Sequence, residues 1–197
     1  MSALAVAISY LLGSVPFAVV VSRALRLADP RTYGSGNPGA TNVLRGAGRA
    51  AAALTLIGDV GKGALAVWLG RQVGAGDAAI VCGAAAFVGH VFPVFLRFRG
   101  GKGVATFFGV LLAFEPWLGL ACCGLWLAVA LASRYSSLAS LTAAVGAPVL
   151  LGITGGPPES LEMVLAMSAL LIWRHRSNIA KLRAGTEGRI GAPDRRG

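Results

Sequence analysis

The chain has 197 residues, 55% of them hydrophobic and only 13% charged, with a mean hydropathy of +0.70, whereas soluble domains carry about 25% charged residues. That composition excludes a large soluble domain and specifies an integral membrane protein, with material for about five to seven crossings at roughly 20 residues per spanning helix. The net charge of +10, from 18 Lys and Arg against 8 Asp and Glu, fits basic loops facing anionic lipid rather than nucleic-acid binding.

Apolar stretches run from Ala3 to Val21, Ala50 to Leu69, Ala78 to Leu96, Val104 to Phe114, Trp117 to Ala132, Ser137 to Ile153 and Leu161 to Trp173. Ala and Leu dominate them and strand-like alternation is missing. The fold class is therefore all-α: one polytopic transmembrane domain spanning 1–197, a helical bundle of about seven transmembrane helices, some of them short. The first stretch has no basic residue before it and Arg23 and Arg26 after it, the reverse of a signal peptide, so it is a retained span. Val104 to Phe114 is short for a full crossing, and the alternative is five spans plus a re-entrant hairpin turning at Glu115-Pro116. Either way, sixteen Lys and Arg fall on one side, while the other receives Arg71 with Asp77, Glu115, Glu159 and Glu162. The positive-inside rule then puts the N-terminus outside and the C-terminus in the cytoplasm. Within the spans, Asp59 and Lys62 are three residues apart and read as a structural ion pair. His90 reads as a packing histidine, and Cys82, Cys122 and Cys123 as small packing residues. The last dozen residues read as a solvated tail, flexible from about 190 to 197.

The polar sequence gathers into three clusters on the basic side. In the first, Gly34-Ser35-Gly36-Asn37-Pro38-Gly39-Ala40-Thr41-Asn42 precedes Arg45. A glycine-rich backbone leading into a helix can aim N–H groups at an anion, or can simply connect two spans. In the second, Arg97 to Thr106 carries Gly100-Gly101-Lys102-Gly103; it fails the P-loop pattern, since Leu96 stands five residues before Gly101 and Gly103 replaces the magnesium-binding Ser or Thr. The third runs from Arg174-His175-Arg176-Ser177-Asn178 to Lys181 and Glu187. If the last helix continues through it, His175 and Asn178 share a face. Three phosphate-compatible loops on one face imply a membrane site for anionic, phosphorylated ligands. A transporter of phosphorylated solutes is the competing class, disfavoured by the lack of an evident internal repeat, by the few charged residues in the span centres and by the gathering of the motifs on one face.

These three motifs, SGNPGATNVLR from Ser35, GHVFPVFLRFRGGKGVAT from Gly89 and RHRSNIAKLRAGTE from Arg174, together with the opening Tyr10 to Phe17, resemble the bacterial acyl-phosphate:glycerol-3-phosphate acyltransferase (PlsY) family. The resemblance extends to about Arg189. It implies a seven-helix enzyme of the bacterial inner membrane, with its site facing the cytoplasm, acting in phospholipid biosynthesis. Such an enzyme transfers a fatty acyl group from acyl phosphate to the sn-1 hydroxyl of glycerol 3-phosphate, with neither metal nor cofactor and no obligate protein partner beyond membrane lipids. The His-x-x-x-x-Asp pair of other glycerolipid acyltransferases is missing: Phe95 and Ala180 stand fifth after His90 and His175. By the same resemblance, Ser35 with Gly36, Asn37, Thr41 and Asn42 binds and polarises the acyl phosphate, and Arg45 and Lys102 neutralise phosphate charge. Gly100, Gly101 and Gly103, leading to Thr106, let backbone approach glycerol 3-phosphate, while His175 and Asn178 orient it, with Ser140 in the same pocket. Ser35 as a covalent nucleophile and His175 as general base are the alternatives to a reaction in which a substrate phosphate takes the proton.

Overall fold

The computed structural model describes residues 2–74 and 78–191, so Asp77 and the tail beyond Gly191 lie outside the described residues. The described residues form ten helices and no strand: α1 Ala3–Ser14, α2 Phe17–Ala24, α3 Ala40–Ala47, α4 Arg49–Val73, α5 Ala78–Val91, α6 Val104–Phe114, α7 Pro116–Ser133, α8 Ser136–Ile153, α9 Pro158–Arg174 and α10 Arg176–Arg183. The all-α reading holds. Four helical stretches are long and apolar enough to cross a membrane: α4, Ala78–Leu96, α7 and α8; the bent pair α1 and α2 supplies a fifth. With 11 and 17 residues respectively, α6 and α9 are shorter members of the same bundle.

Two of the apolar stretches end differently from the expectation, each for a local reason. The first breaks by 48° between α1 and α2, where Pro16 has no N–H to donate and holds Val15 in an extended conformation. The third leaves the α-helix at Val91, ahead of Pro93, and finishes as a single 3-10 turn over Val94–Leu96. The last keeps its expected end and does not continue through the third motif. It stops at Arg174, and α10 restarts at Arg176 after His175, whose φ of −91° and ψ of 7° leave the helix.

Helix α5 is the central post. All but three of its fourteen residues are buried, and α1, α4, α6 and α9 pack around it. Lipid supplies no hydrophobic drive between helices, so close approach depends on small residues. A side chain at Gly13 would strike the Ala86 backbone and one at Gly89 the Tyr10 carbonyl, which fixes α1 against α5. Between α4 and α6 the same device is reciprocal: Gly63 faces the Thr106 carbonyl and Gly109 faces the Val60 carbonyl. At the far end of that pair, Arg71 donates to the Phe114 carbonyl at 3.0 Å. All three polar motifs lie at the opposite end of the bundle. There Arg134 and Ile190 exchange backbone and side-chain hydrogen bonds at 2.7 and 3.1 Å, so the presumed solvated tail is docked as far as Ile190.

Candidate active site

At this end two cavities meet. The outer one, of about 1050 Å³, is lined by Arg31, Arg97, Arg99, Lys102, Arg174, Arg176 and Lys181, with Asp29 the acid among them. Asp29 is engaged by Arg31 at 2.6 Å, whose hydrogen bonds hold its carboxyl down at about 2. The remaining cations face the cavity without acid partners in its lining, which makes it an anion vestibule. The inner cavity, of about 550 Å³, lies among α3, α4, α6, α7 and α8, and its wall of Leu44, Leu56, Val60, Phe108, Leu112, Trp126 and Leu127 is apolar. Ser35, Asn37, Lys102 and Asn178 line both cavities. One side admits charge and water, the other hydrocarbon, and these four residues mark where they join.

The first loop is folded by one of its own side chains. Asn42 accepts a hydrogen bond from the Ser35 N–H at 2.9 Å and donates to the Pro30 carbonyl at 2.7 Å and the Tyr33 carbonyl at 3.3 Å. That leaves Asn42 holding the loop's shape, with Ser35 itself exposed toward both cavities. Gly36 lines the vestibule. Thr41 hydrogen-bonds Ser136 at 3.2 Å, linking α3 to α8 beside Ser140, whose hydroxyl accepts from Trp126 at 3.1 Å and donates to the Ser136 carbonyl at 2.7 Å. Arg45, in the last turn of α3, lines the inner cavity and donates to the Gly188 carbonyl at 3.1 Å.

The second loop departs from the expected backbone cradle. The N–H groups of Gly100 and Gly101 are already donated to the Val91 and His90 carbonyls, both at 3.2 Å. Arg174 captures their carbonyls from the other side, at 2.9 Å to Gly100 and 3.3 Å to Gly101, with its guanidinium against the rings of Phe92 and Trp173. These two glycines are needed for packing: a methyl group at Gly100 would meet the His90 carbonyl and Pro93, and one at Gly101 the His90 ring. Gly103 has a left-handed φ of 88° as the residue before α6, and a side chain there would also strike Phe87. The groups this loop does present are the Lys102 ammonium and the N-terminus of α6. Burial pushes the Lys102 amine down to about 8, against the pull of Glu187 and with Lys181, Arg45 and Arg174 adding to the depression. Thr106 is fully buried and lines neither cavity.

The third motif supplies the remaining wall. Lys102 donates to the Asn178 side-chain oxygen, and the Asn178 amide donates to Glu187 at 2.7 Å. His175 is 2% exposed, its Nδ1 2.8 Å from the Leu171 carbonyl. A carbonyl only accepts, so Nδ1 carries the proton and Nε2 presents a lone pair on the inner-cavity wall. Burial pushes the imidazole down to about 4, opposed by the Leu171 bond and assisted by Lys102.

Of the fourteen residues named from the sequence, twelve line the two cavities, Asn42 among them although it is committed to its loop, while Gly101 and Thr106 line neither. It missed Arg174 as the clamp on the glycine loop, although the arginine stands beside His175 and between aromatic positions. It also missed that Asp59 and His90 reach the inner cavity.

Comparisons with known proteins find similarity over nearly the whole chain. The glycerol-3-phosphate acyltransferase family profile matches residues 3–185. The glycerol-3-phosphate acyltransferases of Burkholderia ambifaria and Burkholderia vietnamiensis are each 61% identical over 193 residues, covering 95% of this chain and 90% of theirs. Two crystal structures of PlsY (YgiH), an integral membrane glycerol 3-phosphate acyltransferase, in its glycerol 3-phosphate and lysophosphatidic acid forms, superpose with TM-scores of 0.90 and 0.88. Their identities are 41% and 40%, and each comparison covers 95% of this chain and 94% of the other.

Proposed function

The chain belongs to the glycerol-3-phosphate acyltransferase family, a membrane enzyme of phospholipid synthesis, and from that premise we propose that its acyl donor is an acyl phosphate and its acceptor the sn-1 hydroxyl of glycerol 3-phosphate. The observation that carries the reading is the meeting of a cationic vestibule and an apolar cavity at Ser35, Asn37, Lys102 and Asn178. An acyl phosphate has both characters in one molecule: the chain lies in the apolar cavity, and its phosphate reaches the junction. Glycerol 3-phosphate enters from water through the vestibule.

An acyl phosphate is a mixed anhydride with a good leaving group, so most of the catalytic work is positioning and charge neutralisation. Ser35, with Gly36 and Asn37, polarises the acyl phosphate at the junction, and Asn42 and Thr41 hold that loop in place. Arg45 and Lys102 neutralise phosphate charge. Asn178 orients Lys102 and the acceptor, and the His175 Nε2 lone pair accepts a hydrogen bond from the acceptor's other hydroxyl, which leaves the proton of the attacking sn-1 hydroxyl for the phosphate. The hydroxyl oxygen bonds to the acyl carbon, the carbon–oxygen bond to phosphate breaks, and the hydroxyl proton leaves on phosphate. Ser140 steadies Trp126 in the wall of the chain cavity, and the glycines and Thr106 set the height of α6.

The sixteen basic residues on the site's side favour a cytoplasm-facing site in the inner membrane of a bacterium, with the N-terminus outside. The donor assignment is tested by supplying purified protein with glycerol 3-phosphate and either palmitoyl phosphate or palmitoyl-CoA. Lysophosphatidic acid should form from the phosphate alone, with inorganic phosphate inhibiting; efficient turnover of the thioester with acyl phosphate inert would overturn the reading.

A further inference from the structure

Inside the bundle, beneath the glycine loop, lies a cluster of charge that the reaction above does not use. Asp59 and Lys62 of α4 are 1% and 2% exposed, with 2.7 Å between carboxylate and ammonium. His90 of α5 places Nδ1 3.4 Å from the same carboxylate oxygen. Lys62 also donates to the Val15 carbonyl at 2.8 Å, in the break between α1 and α2, and sits over the Phe17 ring. A buried ion pair contributes little net stability relative to well-packed apolar residues of the same volume. What this one supplies is geometry, because four segments converge on it.

The fourth segment is the glycine loop. The His90 carbonyl accepts the Gly101 N–H at 3.2 Å, and the edge of its ring is the surface that a methyl group at Gly101 would strike. Lys62, His90, Gly100, Gly101 and Pro38 of the first loop together line a void of about 10 Å³, so the cluster contacts the second glycine loop and borders the first across that void. We propose that Asp59, Lys62 and His90 are positioning residues for the phosphate end of the site: they hold the His90 ring and the helix break at one height, and so set where Lys102 and the N-terminus of α6 meet the substrate phosphate. The inference rests on the assignment of that loop to glycerol 3-phosphate. A displacement of about 1 Å in such a contact is enough to weaken it severely.

Titration calorimetry with glycerol 3-phosphate alone, on purified full-length protein, reads this without any acyl donor. Asp59→Asn and Gly101→Ala should each weaken binding by about tenfold, within the coupling range of contacting residues. His90→Asn keeps a polar group toward Asp59 while removing the ring edge above Gly101. Combined with Gly101→Ala it should therefore restore most of the lost affinity, a rescue that general destabilisation does not produce. Wild-type affinity in Asp59→Asn, or strictly additive losses in the His90→Asn and Gly101→Ala pair, would overturn the proposal. If Asp59→Asn alone does not fold, the Asp59→Asn, Lys62→Gln double variant removes both charges together and carries the same expectation. Failure of the wild type to bind glycerol 3-phosphate would overturn the substrate assignment on which the inference stands.

Discussion

Two side chains of the site carry proton-linked predictions of opposite kinds. Lys102 is needed as a cation, and burial lets its proton go at about 8 instead of the usual lysine range. Activity should accordingly be retained below that pH and lost above it, with kcat/KM for glycerol 3-phosphate falling along a one-proton limb as pH rises through about 8. Lys102→Arg, which stays charged, should abolish the limb whatever its rate. His175 is neutral in the folded protein down to about 4, whereas an unfolded chain protonates histidine near about 6.5. Between those values the unfolded state binds the extra proton, so stability should decline as pH falls through that window. His175→Gln should flatten the decline in a thermal-melting series. Arg45→Ala should lower kcat/KM by about a hundredfold or more, the cost of removing one preorganised charge at the reacting centre; unchanged kinetics in a folded variant would remove Arg45 from the site. The types and positions of these residues were readable from spacing. Their states were not, because burial and the Leu171 carbonyl beside His175 come from the packing of other segments.

At the scale of elements, sequence periodicity placed all the long helices and left their interruptions open. Val104–Phe114 appears with the predicted bounds. The breaks at Pro16 and after Val91 had proline signals, but the stop at His175 has none, and it is this stop that separates α9 from the α10 segment bearing Asn178. The glycines of the second motif were legible as glycines, but their neighbours were not: the N–H and C=O groups of Gly100 and Gly101 are taken by α5 and Arg174, and the missing side chains of Gly101 and Gly103 make room for His90 and Phe87. Such close approaches are invisible in sequence, since the neighbour lies about ten or more residues away on another helix. They also predict where the bundle is least tolerant. Gly109→Val would force a branched side chain against the Val60 backbone, and overpacking of this kind costs about 1–3 kcal/mol. A lowered melting temperature in Gly109→Val, beside a nearly unchanged one in Gly124→Ala, where open space surrounds the added carbon, would check the α4–α6 contact.

For the whole molecule, the charge asymmetry argues for one orientation. In a background lacking Cys82, Cys122 and Cys123, a cysteine at exposed Thr32 should react with an impermeant thiol reagent only from the cytoplasmic side. One at exposed Thr154, in the α8–α9 turn, should react only from outside. The reverse pattern would put the cationic vestibule on the wrong face of the membrane. The central claim, that a water-borne phosphate and a membrane-borne acyl phosphate meet at Ser35, Asn37, Lys102 and Asn178, is tested most directly in reconstituted vesicles containing palmitoyl phosphate. Inorganic phosphate should be released only when glycerol 3-phosphate is added, and in equal amount to the lysophosphatidic acid formed. Release of phosphate without the acceptor, or movement of glycerol 3-phosphate across the membrane with no acyl product, would contradict it.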